Sequence, residues 1–141
     1  MNKLFLMLSL ALICVFTMGA SLGSYNYVNQ EDFKQWLDTD KSMIVVDIQD
    51  KAAFAKQHFK GSIETNAYPV KSDEERTSID PAVAEFKATN KDVVVICPRG
   101  KGGAKRCYDY MKSQGVPDEK LFILEHGIDK WPHRDMVENQ K

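Results

Sequence analysis

Two stretches of this chain are apolar at every position: Met43-Ile44-Val45-Val46 and Val93-Val94-Val95-Ile96. A strand with one face in water alternates apolar and polar residues, so unbroken runs of this length predict strands covered on both faces. With their bounding acids they read as strands over Met43 to Asp47 and Asp92 to Ile96. Covering both faces of a strand calls for a mostly parallel sheet with helices packed on each side.

The rest of the chain has the matching alternation. Tyr25 to Val28 is a short strand candidate, and Asn29 is placed to cap a helix whose Phe33, Trp36 and Leu37 share one face. Asp50 caps a short helix through Phe54, and Ser62-Ile63 begins a further strand. Lys71 to Ser78 is charged and polar, which predicts an exposed loop. Asp80-Pro81 reads as a helix start, a capping carboxylate followed by proline at the first helical position. A helix is expected from about Gly103 to Gln114, stopped by Gly115 and Pro117. Leu121 to Leu124 is the last expected strand, with a short helix leading to Trp131. The fold expected is α/β: one domain with a mostly parallel central sheet of about five strands flanked by helices.

Length and composition agree with one domain. The chain has 141 residues, of which 43% are hydrophobic and 28% charged, enough apolar matter for a single core. A net charge of −1 gives no basis for a nucleic-acid or anionic-membrane partner. Three cysteines are too few for a scaffold built on disulfides. The N-terminus differs from the remainder. Lys3 precedes an apolar run from Leu4 to Phe16, and small residues follow at Gly19, Ala20, Ser21, Gly23 and Ser24. That is the layout of a cleaved signal peptide, expected over 1–23 with the domain over 24–141, and it implies a periplasmic or secreted protein. The alternative is an uncleaved anchor, for which the run is shorter than the ~20 residues that span a bilayer. Leu12-Ile13 before Cys14 lack the small residues of a lipidation site.

In open parallel sheets ligands bind beyond the carboxyl ends of the strands. The two apolar runs end at Asp47 and at Cys97. Cys97 opens the segment Cys97-Pro98-Arg99-Gly100-Lys101-Gly102-Gly103, after which a helix begins. Glycines let successive backbone N–H groups turn toward one point, and the helix start adds its own free N–H groups there. The result is an anion cradle centred on a thiol, surroundings that favour thiolate. Arg99 and Lys101 add positive charge at the rim. Three other uses of such a loop fit poorly. A cysteine phosphatase needs arginine where Gly103 stands, and Lys105 and Arg106 lie further along the helix. A nucleotide-binding loop needs a hydroxyl residue where Gly102 stands. No metal-ligand spacing joins Cys97 and Cys107 to His58, His126 and His133, so no metal or other cofactor is expected.

Taken together, Val45-Val46-Asp47, His58-Phe59-Lys60-Gly61-Ser62-Ile63, the Cys97 to Gly103 loop and Glu125-His126-Gly127 with Trp131 resemble the single-domain rhodanese family over essentially the whole of 24–141. The resemblance implies that Cys97 takes sulfane sulfur from a small anion such as thiosulfate or polysulfide, holds it as a persulfide, and passes it to a thiol or cyanide acceptor. It makes Pro98, Arg99, Gly100, Lys101, Gly102 and Gly103 the substrate-binding loop and Asp47 a supporting residue. The alternative is a non-catalytic sulfur carrier that delivers sulfur to a partner enzyme. The sequence departs from the family in three places. Gln49 and Ala53 replace an Arg–Glu pair, Gly102 replaces a loop Arg or Thr, and His126 stands where Gly is frequent. Cys107, about three turns into the helix and some 15 Å from its start, reads as a packing residue, as do Trp36 and Trp131.

Overall fold

The computed structural model describes residues 24–140. Seven strands and five α-helices follow one another: β1 (Tyr27–Val28), α1 (Gln30–Asp38), β2 (Met43–Asp47), α2 (Lys51–Lys56), β3 (His58–Phe59), β4 (Ile63–Glu64), α3 (Asp73–Thr77), α4 (Asp80–Thr89), β5 (Asp92–Ile96), α5 (Gly102–Ser113), β6 (Leu121–Leu124) and β7 (Val137–Glu138). Short 3-10 turns lie at Asp118–Lys120, Ile128–Lys130 and Arg134–Met136. The signal peptide expected over 1–23 lies outside the described residues.

The two apolar runs are β2 and β5 at the expected bounds, and they pair in parallel with Val45 opposite Val94. The sheet order is β1-β6-β5-β2-β4, every neighbour parallel. After β2 the chain adds β4 on one side and then returns to add β5 on the other. The order therefore switches direction between β2 and β5, the place where open parallel sheets leave a crevice at the strand ends. Asp47 and Cys97 stand at that switch.

Alternation along the strands divides the core in two. Val93, Val95 and Cys97 pack with Phe86 of α4 and with Ala104, Cys107 and Met111 of α5. Val94 and Ile96 face the other way, onto Phe33 of α1, Phe59 and Trp131. Both faces are covered, which accounts for the lack of polar alternation in β2 and β5. The helix starts read from Asn29 and Asp50 hold: their side chains accept from the backbone N–H of Asp32 and Ala53.

Three expectations need correction. Lys71 to Ser78 is not a plain loop, because Ser72 and Glu75 form a reciprocal capping box that starts α3. Asp80 does not cap α4; it is the first helical residue, and its carboxylate accepts from the Tyr110 hydroxyl. β6 is not the last strand, since β7 follows and pairs antiparallel with β3 in a separate two-stranded ribbon.

Candidate active site

β5 carries Cys97 to the floor of a cavity of about 120 Å³. The cavity is lined by Cys97, Pro98, Arg99, Lys101, Gly102 and Gly103, with Tyr68 as the facing wall. Its volume is that of about four water molecules in the liquid. It has room for a small anion.

The loop turns back over the thiol. The Gly100 N–H donates to Cys97 Sγ at 2.8 Å, and the amides of Arg99, Lys101 and Ala104 also point at the sulfur. Gly100 reaches this place at φ +69°, the left-handed region, where a Cβ would stand 2.9 Å from the Leu124 carbonyl oxygen and 3.1 Å from the His126 nitrogen. Gly100 thus lies beneath the cavity, and the other expected loop residues form its wall. The amides build the expected cradle, but its balance is not the expected one. Burial of the sulfur pushes the Cys97 thiol up and outweighs the four N–H groups that pull it down.

A second loop supports the first from below. Gly127 has φ +67°, and a Cβ there would stand 2.4 Å from the Pro98 carbonyl oxygen and 2.5 Å from the Arg99 nitrogen. The backbone after Gly127 then holds the Cys loop directly: Ile128 N–H donates to the Cys97 carbonyl at 2.9 Å and Asp129 N–H to the Pro98 carbonyl at 3.0 Å. His126 is exposed at the same turn with φ +64°.

Tyr68 is the wall residue that the sequence reading missed. It is 42% exposed, and its ring lies 2.9 Å from where a Cβ on Gly103 would stand. Its position is fixed by Tyr68 N–H donating to the Ile48 carbonyl at 2.8 Å. Two residues on, Val70 is fully buried at φ +60°, a strained conformation for a β-branched residue that persists only where the surroundings impose it. The signal available was a Tyr-Pro pair in the loop beyond the carboxyl end of β4.

Asp47 lies beside the loop but not in the cavity. It pairs with Ile96 across the sheet, and its carboxylate accepts from the Gln49 backbone N–H at 2.9 Å and from Gln49 Nε2 at 3.0 Å. Gln49 Nε2 also donates to the Gln57 carbonyl, so one buried amide replaces the absent Arg–Glu pair. Burial pushes the Asp47 carboxyl up to about 6 against those hydrogen bonds. His58 is buried, bonded through Nδ1 to the Phe54 carbonyl and stacked on the Phe54 ring. Cys107 is fully buried, far above the ordinary thiol range because of that burial, and neither it nor Cys97 is in a disulfide. Trp131 is buried among Phe33 and Phe59, and Trp36 packs on Phe122.

A doubly covered parallel sheet with a strand-end cysteine under a loop of converging amides defines an α/β domain with a cysteine-centred cavity at the sheet's switch point. The family model for the rhodanese-like domain matches residues 29–133, and the chain belongs to that family. The fold is shared with solved structures of differing function. An As-Sb reductase from Leishmania major is 17% identical, with TM-score 0.63, over 82% of this chain and 86% of that one. A thiosulfate sulfurtransferase from Pseudomonas aeruginosa is 18% identical, with TM-score 0.60, over 82% of this chain and 20% of that one. A yeast protein tyrosine phosphatase of the rhodanese family is 17% identical, with TM-score 0.59, over 79% of this chain and 86% of that one. At these identities the likeness concerns the fold. No curated protein sequence matches the chain.

Proposed function

We propose that this domain is a sulfurtransferase in which Cys97 carries sulfur as a persulfide. The observation that carries the reading is the convergence of the Arg99, Gly100, Lys101 and Ala104 amides on Cys97 Sγ, at the floor of a cavity sized for a small anion. The Cys97 thiolate attacks the outer sulfur of thiosulfate. A sulfur–sulfur bond forms at Cys97, the bond to the sulfonate sulfur breaks, and its electron pair leaves with sulfite. Cyanide or a thiolate then takes the outer sulfur and returns Cys97 as thiolate. No external oxidant or reductant enters either step. Burial of the sulfur, which raises the thiol, works against forming the attacking thiolate, and the converging amides work for it. Once loaded, the persulfide is intrinsically the stronger acid, and the same amides hold its anion.

Cysteine-phosphatase chemistry calls for an arginine where Gly103 stands. The Tyr68 ring occupies the space such a side chain needs. A slower carrier that delivers sulfur to a partner enzyme is the second reading, favoured by the burial that holds the Cys97 thiol up. The proposal extends to a periplasmic or secreted location, on the layout of residues 1–23 alone.

Steady-state formation of thiocyanate from thiosulfate and cyanide tests the reading. Sustained turnover that Cys97→Ser abolishes is expected. Loading without turnover selects the carrier, and turnover by the serine variant overturns both.

A further inference from the structure

We propose that Arg106 is a donor-binding residue of the Cys97 cavity, its guanidinium standing in the space left open by the missing side chain at Gly102. The proposal rests on the sulfur-transfer reading and identifies the cation that meets the anionic donor.

Gly102 and Arg106 are four residues apart on α5, so they share a face of the helix. Helical side chains lean toward the N-terminus, which brings the Arg106 stem back over Gly102. A Cβ on Gly102 would stand 3.0 Å from Arg106 Nη1 and 3.6 Å from Nη2. The guanidinium therefore fills the volume that a side chain at 102 would claim, directly behind Gly102, which lines the Cys97 cavity. Arg106 itself lines a second cavity with Val70, Arg76 and Tyr110, so the donor's outer end must extend past Gly102 to meet it.

The group is held in place. Arg106 Nε donates to the Pro69 carbonyl at 2.9 Å, next to Tyr68 on the facing wall. Arg106 is half-buried, whereas Arg99 and Lys101 are exposed. Its Nη1 and Nη2 make no hydrogen bond within the described residues, so the outer edge of the fork is available. Glu75, an acid that feels its charge, already accepts from the Lys71 and Ser72 backbone N–H groups.

A planar fork matches an oxyanion in two-pronged fashion, and anchoring it in advance removes part of the entropy of capture. The outer end of thiosulfate presents sulfonate oxygens. As the sulfur–sulfur bond of the donor breaks, the leaving sulfite keeps that charge, which Arg106 is placed to hold. An uncharged donor such as dimethyl trisulfide makes no such demand. Attack of the Cys97 thiolate on its central sulfur forms a mixed methyl trisulfide on Cys97 and releases methanethiolate, and the mass of that adduct is the loading read for this donor.

The test is single-turnover loading of Cys97 from thiosulfate and from an uncharged trisulfide, at low and high ionic strength. Wild type, Arg106→Gln, Arg106→Lys, Arg99→Glu and Lys101→Glu are compared, with thermal melts as a check on folding. Arg106→Gln is expected to lose about tenfold with thiosulfate and under about twofold with the trisulfide. Arg106→Lys keeps the charge without the fork and should lose about threefold with thiosulfate, which preserves the test if the glutamine variant folds poorly. The exposed Arg99 and Lys101 should show effects that added salt largely removes. In the Arg106→Gln background, Gly102→Arg should restore part of the thiosulfate rate. Equal losses for both donors would make Arg106 only an anchor for Pro69, and no loss for either would remove it from binding; both outcomes overturn the proposal. Failure of wild type to load from either donor sinks the sulfur-transfer reading instead, and this proposal with it.

Discussion

The ends of β2 and β5 are neighbours in the sheet, alike in sequence and opposite in outcome. Each strand is a run of β-branched residues that delivers one reactive side chain at the switch point. Asp47 ends fully buried, with its carboxylate occupied by Gln49. Cys97 ends beneath a cavity, with amides aimed at it. The difference arises in the residues that follow. After β2 the chain runs Ile48-Gln49-Asp50, and the glutamine amide folds back onto the acid before Asp50 starts a helix. After β5 the chain runs through three glycines, whose backbone encloses space without filling it. A strand end in a parallel sheet therefore becomes a site only when the next segment leaves room and points donors inward.

The strongest way to break this comparison is to fill the space behind the Cys loop. Gly127→Ala places a Cβ within 2.5 Å of three backbone atoms of that loop, at a φ of +67°. Displacement of the loop by even about 1 Å should lower kcat/KM for thiosulfate roughly 100-fold. The melt should fall by the equivalent of about 2 kcal/mol. A variant with wild-type kinetics would show that the backbone at Gly127 does not position the cradle.

The Asp47 end sharpens the comparison through pH. Its folded carboxyl lies near 6, above the unfolded value of 3.8. The folded state thus binds more protons between those two values, and stability falls as pH rises through that window. The full penalty, about 3 kcal/mol, is present above pH ~6. Glu75, Asp92 and Asp118, whose carboxyls are lowered, act in the opposite sense and lose stabilisation as pH falls. The difference between Asp47→Asn and wild type cancels them. Relative to wild type, the variant should gain stability on going from pH 4 to pH 7.5 in urea unfolding. Its loading of Cys97 should stay within about threefold, since Asp47 makes no contact with the cavity. A pH-independent difference would contradict a carboxyl held near 6.

The smallest effect is expected at Cys107, a second buried cysteine on the same βα unit but one with no amides directed at it. Cys107→Ser places a hydroxyl in the core and should cost about 1–2 kcal/mol in a melt while Cys97 loading stays near wild type. Loss of loading would mean that sulfur passes through Cys107.

Much of this was legible in the sequence because it is local. β2 and β5 follow from their apolar runs, α1 and α2 from Asn29 and Asp50, and the cradle from Cys97 with its glycines. What escaped depends on distant parts of the chain meeting. Tyr68 became a wall because the loop after β4 bonds to Ile48, just beyond β2 and beside the end of β5, and the Tyr-Pro pair alone does not indicate a cavity. Arg106 seemed too far along its helix, yet its side chain leans back over Gly102, one of the three loop glycines. The charge of Lys71 to Ser78 hid a capping box, and the two-residue strands β3 and β7 are too short to show a period. The thiol balance also escaped, since the loop reveals its amides but not how deeply the sulfur is buried.

The central claim is that Cys97 alone holds transferred sulfur, and mass spectrometry of the protein after incubation with thiosulfate tests it most directly. The account predicts the mass of one added sulfur, located on the peptide containing Cys97, absent from the Cys107 peptide and absent from Cys97→Ser. Added sulfur in the folded serine variant, or none on wild type with any sulfane donor, would contradict it.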